Sequence, residues 1–316
     1  MPQSEKRLIQ NIRRLADISS AVVRGIGDDC AVLRLPRGHE LLVTTDFSIE
    51  NVHFRRAWHP AELVGRRCLT RGLSDIAAMG GEPLAAFLSL AVAREVPQDW
   101  VNRFVRGLLK MAKEHSVPLS GGDTAQAEAG IQADIVVVGT VPRGTAVLRS
   151  GAKVGDRIYV TGLLGGGAAA LTRLMKSKPL GSEYLPYLSP QPRLAVGRWL
   201  RQSKAASAMI DLSDGLSTDL EHICEESGVG ADIDSTAIPL APLKPGDEPV
   251  ALNLALHGGD DYELLFTSSA KVPAKVAGVR VTAIGRITKS GMQLASADGS
   301  LRRLKARGWE HFKRRA

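Results

Sequence analysis

PAELVGRRCLTRGLSDIAAMGGEPLAAFLSLAVA (60–93) sets the fold class of this chain. From Pro60 to Met79 the apolar residues Ala61, Leu63, Val64, Cys68, Leu73, Ile76 and Met79 recur at helical spacing. Gly80 and Gly81 stop that helix, as glycine does at helix C-termini. PLAAFLSLAVA then reads as a buried strand, too short to cross a bilayer. Helix and strand follow each other directly, and the pattern extends in both directions. Upstream, residues 4–18 carry a helical pattern with Ser4 as N-cap, and CAVLRL and ELLVTTD read as strands around the turn PRGH. Downstream come the helix DWVNRFVRGLLKMAKEH, the strand VPLSGGDT ending in a turn, and the strand ADIVVVGTVP.

Around RGTAVLRSGAKVGDRIYVTG (143–162) a connector bearing Gly and Arg leads into a new strand, which places a domain boundary near residue 148. A helix after GGGAAALTRL, a Pro-rich loop at 186–192, the helix RLAVGRWLRQ, the strand ASAMIDLS and the helix GLSTDLEHICEES follow. Further strands lead to a basic tail that reads as a solvated helix end. Intermixed helices and strands in both halves give an α/β (α+β) architecture with domains 1–148 and 149–316.

Composition bounds the function. The net charge is +8 although the motif residues are acidic, and no basic–aromatic interleave supports nucleic-acid binding. Three scattered cysteines give neither a zinc site nor a disulfide framework, so a reducing cytoplasm is expected. The N-terminus lacks the apolar core of a signal peptide, and neither a membrane span nor a nucleic-acid partner is expected.

The chemistry lies in aspartates at the edges of apolar runs, most beside glycine or hydroxyl residues: GIGDDCAVL (25–33), LLVTTD (41–46), GLSDIAAMGG (72–81), LSGGDT (119–124), IDLSDGL (210–216) and LHGGDDYELLF (256–266). Carboxylates brought together need cations between them, and glycine lets a large anion approach the backbone. That combination suits Mg²⁺ holding a polyphosphate. Each motif also has a plainer reading. Asp46 at a strand end could cap a turn, Ser213 or Asp214 could cap a helix, and Asp75 could pair with Arg66, Arg67 or Arg71. GGGAAAL fits a dinucleotide-binding turn only loosely, and close helix–strand packing explains it better. No Walker A sequence and no kinase HRD or DFG set is present.

Jointly the motifs are specific. GIGDDCA, TTD…VHF, LSDIAAMG, GGDT, LRSGAKVGD, IDLSDGL and GGDDYEL resemble, in order and over nearly the whole chain, the thiamine-monophosphate kinase family. That family belongs to the ATP-binding superfamily shared with aminoimidazole-ribonucleotide synthetase. The resemblance implies the two-domain fold of that superfamily, with an N-terminal sheet that pairs in a homodimer. It implies ATP-dependent phosphorylation of thiamine monophosphate to thiamine diphosphate, with several Mg²⁺ ions. Asp29, Thr44, Thr45, Asp46, Asp75, Asp123, Asp211 and Asp214 match its metal positions. Gly122, Asp123, Arg149 and Ser213 match contacts to ATP, with Asp211 and Arg149 the candidate catalytic pair. His53, Asp260 and Trp309 match positions around the thiamine phosphate. Asp260 stands where the family usually has glutamate, and Leu148 where threonine often precedes the arginine. The alternatives are another ATP-dependent small-molecule enzyme of the superfamily or a non-catalytic nucleotide- or metal-sensing module. Selenophosphate synthetase would carry a reactive cysteine in an N-terminal Gly-rich loop, and none precedes Cys30.

Overall fold

The computed structural model describes residues 5–17, 19–27, 29–178, 180–242 and 250–312. Ser4, the expected N-cap, and Asp28 of GIGDD lie outside them. The chain divides into two units, residues 1–76 with 81–144 and residues 77–80 with 145–316.

The first unit runs α1 (Glu5–Leu15), β1 (Val22–Arg24), β2 (Val32–Leu33), β3 (His39–Ile49), α2 (Ala61–Ala78), β4 (Glu82–Ala93), α3 (Gln98–Glu114), β5 (Leu119–Ala127) and β6 (Ile131–Pro142). Its main sheet has the order β3-β6-β4-β5. β6 pairs antiparallel with β3 and β4, while β4 and β5 are parallel and joined through α3. Two glycines set the helix packing. A Cβ on Gly65 of α2 would lie 2.0 Å from the Phe104 carbonyl oxygen, and one on Gly107 of α3 would lie 2.0 Å from that of Glu62. The helices therefore cross with backbones in contact, and Leu69, Leu73, Phe104 and Leu108 fill the core beside that crossing. β5 differs from the expected strand-then-turn, because GGDT lies within the strand and keeps pairing with β4 as far as Ala127.

One face of β3 is left bare. Leu41, Val43 and Phe47 alternate along it, with Val43 64% exposed. Alternate strand residues point to opposite faces, so these three form one apolar stripe on an edge strand.

The second unit contains β7 (Arg157–Thr161), α4 (Gly166–Met175), a 3₁₀ turn (Ser182–Tyr184), α5 (Leu185–Leu188), α6 (Leu194–Gln202), β8 (Ala208–Asp211), α7 (Leu216–Ser227), β9 (Gly230–Asp234), α8 (Leu252–His257), β10 (Leu264–Ser268), β11 (Lys275–Val276), β12 (Val279–Thr288), β13 (Met292–Ala295) and β14 (Leu301–Arg303). The sheet order is β14-β13-β9-β12-β7-β10-β8, with β11 alongside β12. Its pairings are antiparallel except β13 with β9. Ile158, Val160, Ile210, Leu265, Leu220 and Ile223 belong to one buried cluster.

The described part of the basic tail is not a helix. Residues 301–303 form β14, paired with β13 across a turn at Asp298–Gly299, and residues 304–312 carry no helix. A hairpin with Gly299 at φ 81° uses the alternation of this segment better than a short helix rich in like charges would.

Candidate active site

In the first unit, strand alternation puts Thr44 and Asp46 on the face of β3 toward α2 and the Thr45 side chain on the other. Thr44 Oγ1 donates a short hydrogen bond to Asp75 Oδ2. Asp46 Oδ1 lies 3.2 Å from Arg71 Nη1, one helical turn before Asp75. Of the three arginines weighed as partners for Asp75, Arg71 also pairs with Asp46, and Arg66 meets both carboxylate oxygens of Glu114 at 2.9 and 2.6 Å. Asp75 and Asp46 come to one strand–helix seam, each aligned by its own donor.

A second group forms at β5. Gly122 has φ 146°, and a Cβ there would sit 1.9 Å from the Leu88 carbonyl oxygen, so no side chain fits. Asp123 follows, its Oδ1 accepting the Thr124 N–H at 2.8 Å. Asp29, Gly122 and Asp123 line one cavity of about 560 Å³, whose apolar walls include Ile9, Ile12 and Phe87. His53 accepts the Ile49 N–H on Nδ1 at 3.0 Å, which leaves Nε2 as the protonated nitrogen of a neutral ring. It shares a narrow hollow with Arg67 and Arg71.

In the second unit, three separate segments are laced together by backbone. β8 ends at Asp211, which is buried. Beyond it, Tyr262 N–H donates to Leu212 O at 2.8 Å, Leu212 N–H to Glu263 O at 2.8 Å, and Asp260 N–H to Ser213 O at 2.9 Å. The tail joins from the other side. Trp309 N–H donates to Asp214 O at 3.1 Å and Gly308 N–H to Thr218 Oγ1 at 3.0 Å. A Cβ on Gly308 would stand 2.2 Å from the Asp214 carbonyl oxygen, so glycine is what lets the tail lie here. Asp211, Ser213, Asp214, Asp260 and Trp309 are thereby assembled in one place. Trp309 stands half-exposed with its ring edge-on to His311.

Ser213 and Asp214 are not helix caps. α7 begins after Gly215 with no side-chain cap at that position, and Asp219, one turn inside the helix, accepts the N–H groups of Asp214 at 3.2 Å and Gly215 at 3.0 Å. Burial, followed by the charges of Asp211 and Asp214, raises the Asp219 carboxyl well above the usual carboxylate range. Arg149 lies on the connector that leads into this unit. Its carbonyl accepts from Ser227 Oγ at 3.1 Å, at the far end of α7 from Asp214. The same segment runs beside β8, because Met209 N–H donates to Leu148 O at 2.9 Å, and Asp211 ends that strand.

The GGG turn is a packing turn. Asp261, half-buried, takes the N–H of Gly165 at 2.9 Å and so occupies the start of α4, and a Cβ on Gly166 would strike the Tyr187 ring. Burial pushes the Asp261 carboxyl up to about 8. Burial raises the Cys68 thiol to about 12 and the Cys224 thiol to about 11, so neither ionises near neutral pH. Asp219, Asp261 and Tyr262 went unassigned in the sequence, although all three lie within the motifs IDLSDGLSTDL and GGDDYEL.

Among the described residues, no group of three or more His, Cys, Asp and Glu side chains is arranged to hold a metal ion by itself. The carboxylates instead stand as pairs and singles: Asp46 with Asp75, Asp29 with Asp123, and Asp211 with Asp214. Such a donor set fits Mg²⁺, which takes one or two carboxylates and completes its shell with phosphate oxygens and water.

Residues 27–141 match the family described as AIR synthase related protein, N-terminal domain, and residues 153–294 match its C-terminal domain. The fold and site therefore define a protein of the AIR synthase related class. Within it, the chain is 39% identical over 308 residues to the thiamine-monophosphate kinase of Salmonella typhimurium, covering 92% of each protein. It is also similar to the crystal structure of thiamine-monophosphate kinase from Stenotrophomonas maltophilia K279a, with 34% identity, TM-score 0.82 and coverage of 95% and 98% of the two chains. AaThiL complexed with AMPPCP and TMP has 31% identity and a TM-score of 0.76, over 97% and 96%. The chain belongs to the thiamine-monophosphate kinase family.

Proposed function

We propose that this protein transfers the γ-phosphoryl group of ATP to thiamine monophosphate, giving ADP and thiamine diphosphate. The observation that carries this is the convergence of residues 211–214, 258–262 and 307–309. Backbone bonds put a carboxylate pair for phosphate chemistry beside a carboxylate and an indole suited to a cationic ring. A relative sharing this fold was solved with AMPPCP, an ATP analogue, and TMP bound, which supports the same two ligands here.

A phosphate monoester loses its second proton near pH ~6, so the acceptor oxygen is already anionic at neutral pH and no general base is required. A phosphate oxygen of thiamine monophosphate bonds to the γ-phosphorus as the bond to the β-bridging oxygen breaks, in line and without a phospho-enzyme. Asp29, Thr44, Asp46, Asp75, Asp123, Asp211 and Asp214 would hold Mg²⁺, with Thr45 contributing through its backbone, and the bound ions would supply charge neutralisation for the two anions. Thr44 aligns Asp75, and Arg71 aligns Asp46. Gly122 and Asp123 meet the nucleotide in a cavity whose apolar wall suits a base. Ser213 contacts ATP just beyond the end of β8, and Arg149 reaches it from the segment that runs beside that strand. His53 donates from Nε2 to the substrate phosphate, with Arg67 and Arg71 in the same hollow. Asp260 and Trp309 receive the thiazolium, one by charge and one by its π face.

Each unit carries part of this machinery, the N-terminal domain to residue 148 and the C-terminal domain from 149. The apolar stripe Leu41, Val43 and Phe47 is the surface on which two copies pair as a homodimer. No helix of the described residues is long and apolar enough to cross a membrane, and three free cysteines suit a reducing cytoplasm. The test is a substrate panel of thiamine, thiamine monophosphate and aminoimidazole precursors, each with Mg-ATP. Turnover of thiamine monophosphate alone supports the proposal, and preference for another acceptor ends it.

A further inference from the structure

We infer that Tyr262 is a positioning residue for the substrate, its hydroxyl fixing the direction in which Asp260 presents its carboxylate to the thiazolium. The inference rests on the functional reading above. Tyr262 Oη donates to Asp260 Oδ1 at 2.9 Å, reaching back two residues. To do so both residues adopt left-handed backbone, Asp260 at φ 70° and Tyr262 at φ 51°. Aspartate visits that region with some ease, but a bulky aromatic residue seldom does. Such strain persists only where the surroundings over-determine it, and it concentrates at ligand sites.

The surroundings do over-determine it. Asp260 and Tyr262 are tied by their N–H groups to Ser213 O and Leu212 O. Between and after them the chain is anchored on its other side, by Asp261 on the Gly165 amide and by Glu263 on Arg193 and Thr161 Oγ1. These backbone ties, with Asp261 and Glu263, hold the loop without using the hydroxyl of Tyr262. Tyr262 is 2% exposed, so its ring is held in place and its oxygen is a fixed point. Asp260 has a shorter arm than the glutamate usual in the family and only two side-chain torsions, so one hydrogen bond suffices to aim it.

The test is Tyr262→Phe, which keeps the ring and removes the hydroxyl, measured by steady-state kinetics and thermal melting beside wild type, Asp260→Ala and the double variant. KM for thiamine monophosphate is expected to rise about tenfold, the scale of one hydrogen bond to a charged group. kcat and KM for ATP should stay within about twofold, the signature of lost ground-state binding. In the Asp260→Ala background the same change should leave KM where it is, because Tyr262 acts only through that carboxylate. An unchanged KM in Tyr262→Phe, with or without a lower melting temperature, overturns the inference, as does an equal rise in both backgrounds. A wild-type protein that does not phosphorylate thiamine monophosphate overturns the functional reading and this inference together, so the two failures are told apart by the first measurement.

Discussion

Thr44 and Asp75 are 31 residues apart in sequence and meet through one hydroxyl, and the chemistry assigned to Asp75 depends on that contact. Replacing a carboxylate that stabilises developing charge costs about 10²–10³-fold in kcat, so Asp75→Asn should lose that much with an unchanged melting temperature. Thr44→Val leaves the carboxylate in place but unaligned and should cost about 10–100-fold in activity or Mg²⁺ affinity, the usual loss when a ligand's supporting hydrogen bond goes. Near-wild-type rates in both variants would remove this pair from the site. Asp219 works on the same principle with a different readout. It satisfies two buried N–H groups, so Asp219→Leu should lower unfolding stability by about 1–3 kcal/mol in denaturant titration. Asp219→Asn, which keeps an acceptor, should lower it less. Equal losses in the two would show that the charge of Asp219, and not its hydrogen bonds, holds the loop.

At the scale of elements, the loop 258–263 and the start of α4 are coupled by Asp261. Its carboxyl is raised to about 8 in the folded chain by burial, against an ordinary value near 3.9 in the unfolded chain. A raised folded value means that the unfolded state gives up its proton first. The stabilisation is complete below pH ~4 and drains away as pH rises toward about 8. The melting temperature of wild type should therefore fall between pH 5 and pH 8.5 relative to Asp261→Asn, which cannot ionise. Parallel melting curves for the two across that range would contradict this assignment. The elements also show what the sequence could and could not disclose. α2, β4 and α3 were legible because hydrophobic period and glycine stops agree there with the tertiary packing. β5 was misjudged at GGDT, since Gly-Gly-Asp reads locally as a turn. Its pairing with β4 comes from a crowding at Leu88 that only glycine tolerates, and that contact is non-local. The tail was misjudged for a like reason: β14 exists because β13 is beside it, and Gly308 lies flat because Asp214 is beneath it.

At the scale of the whole molecule, the six motif aspartates and their order were readable from the sequence, and so was the family. Their grouping was not. Nothing in the sequence says that Arg71 pairs with Asp46, that Asp219 relieves Ser213 and Asp214 of capping, or that the segment before Arg149 runs beside β8. Those are consequences of packing at long range. The apolar stripe on β3 makes a claim of the same scale. Val43→Asp places a charge in the middle of it and should convert a dimer to a monomer in sedimentation velocity, with the sheet intact by circular dichroism. A variant sedimenting as wild type would place the dimer contact elsewhere.

The central claim is that these dispersed carboxylates act through divalent ions to join two phosphorylated ligands. The most direct measurement is a quenched single-turnover reaction of excess protein with ATP and thiamine monophosphate, with Mg²⁺ and again with the metal chelated. Thiamine diphosphate and ADP should form in equal amounts with Mg²⁺, and neither should form without it. Thiamine diphosphate made at the same rate in chelator, or ADP released without it, would contradict the account.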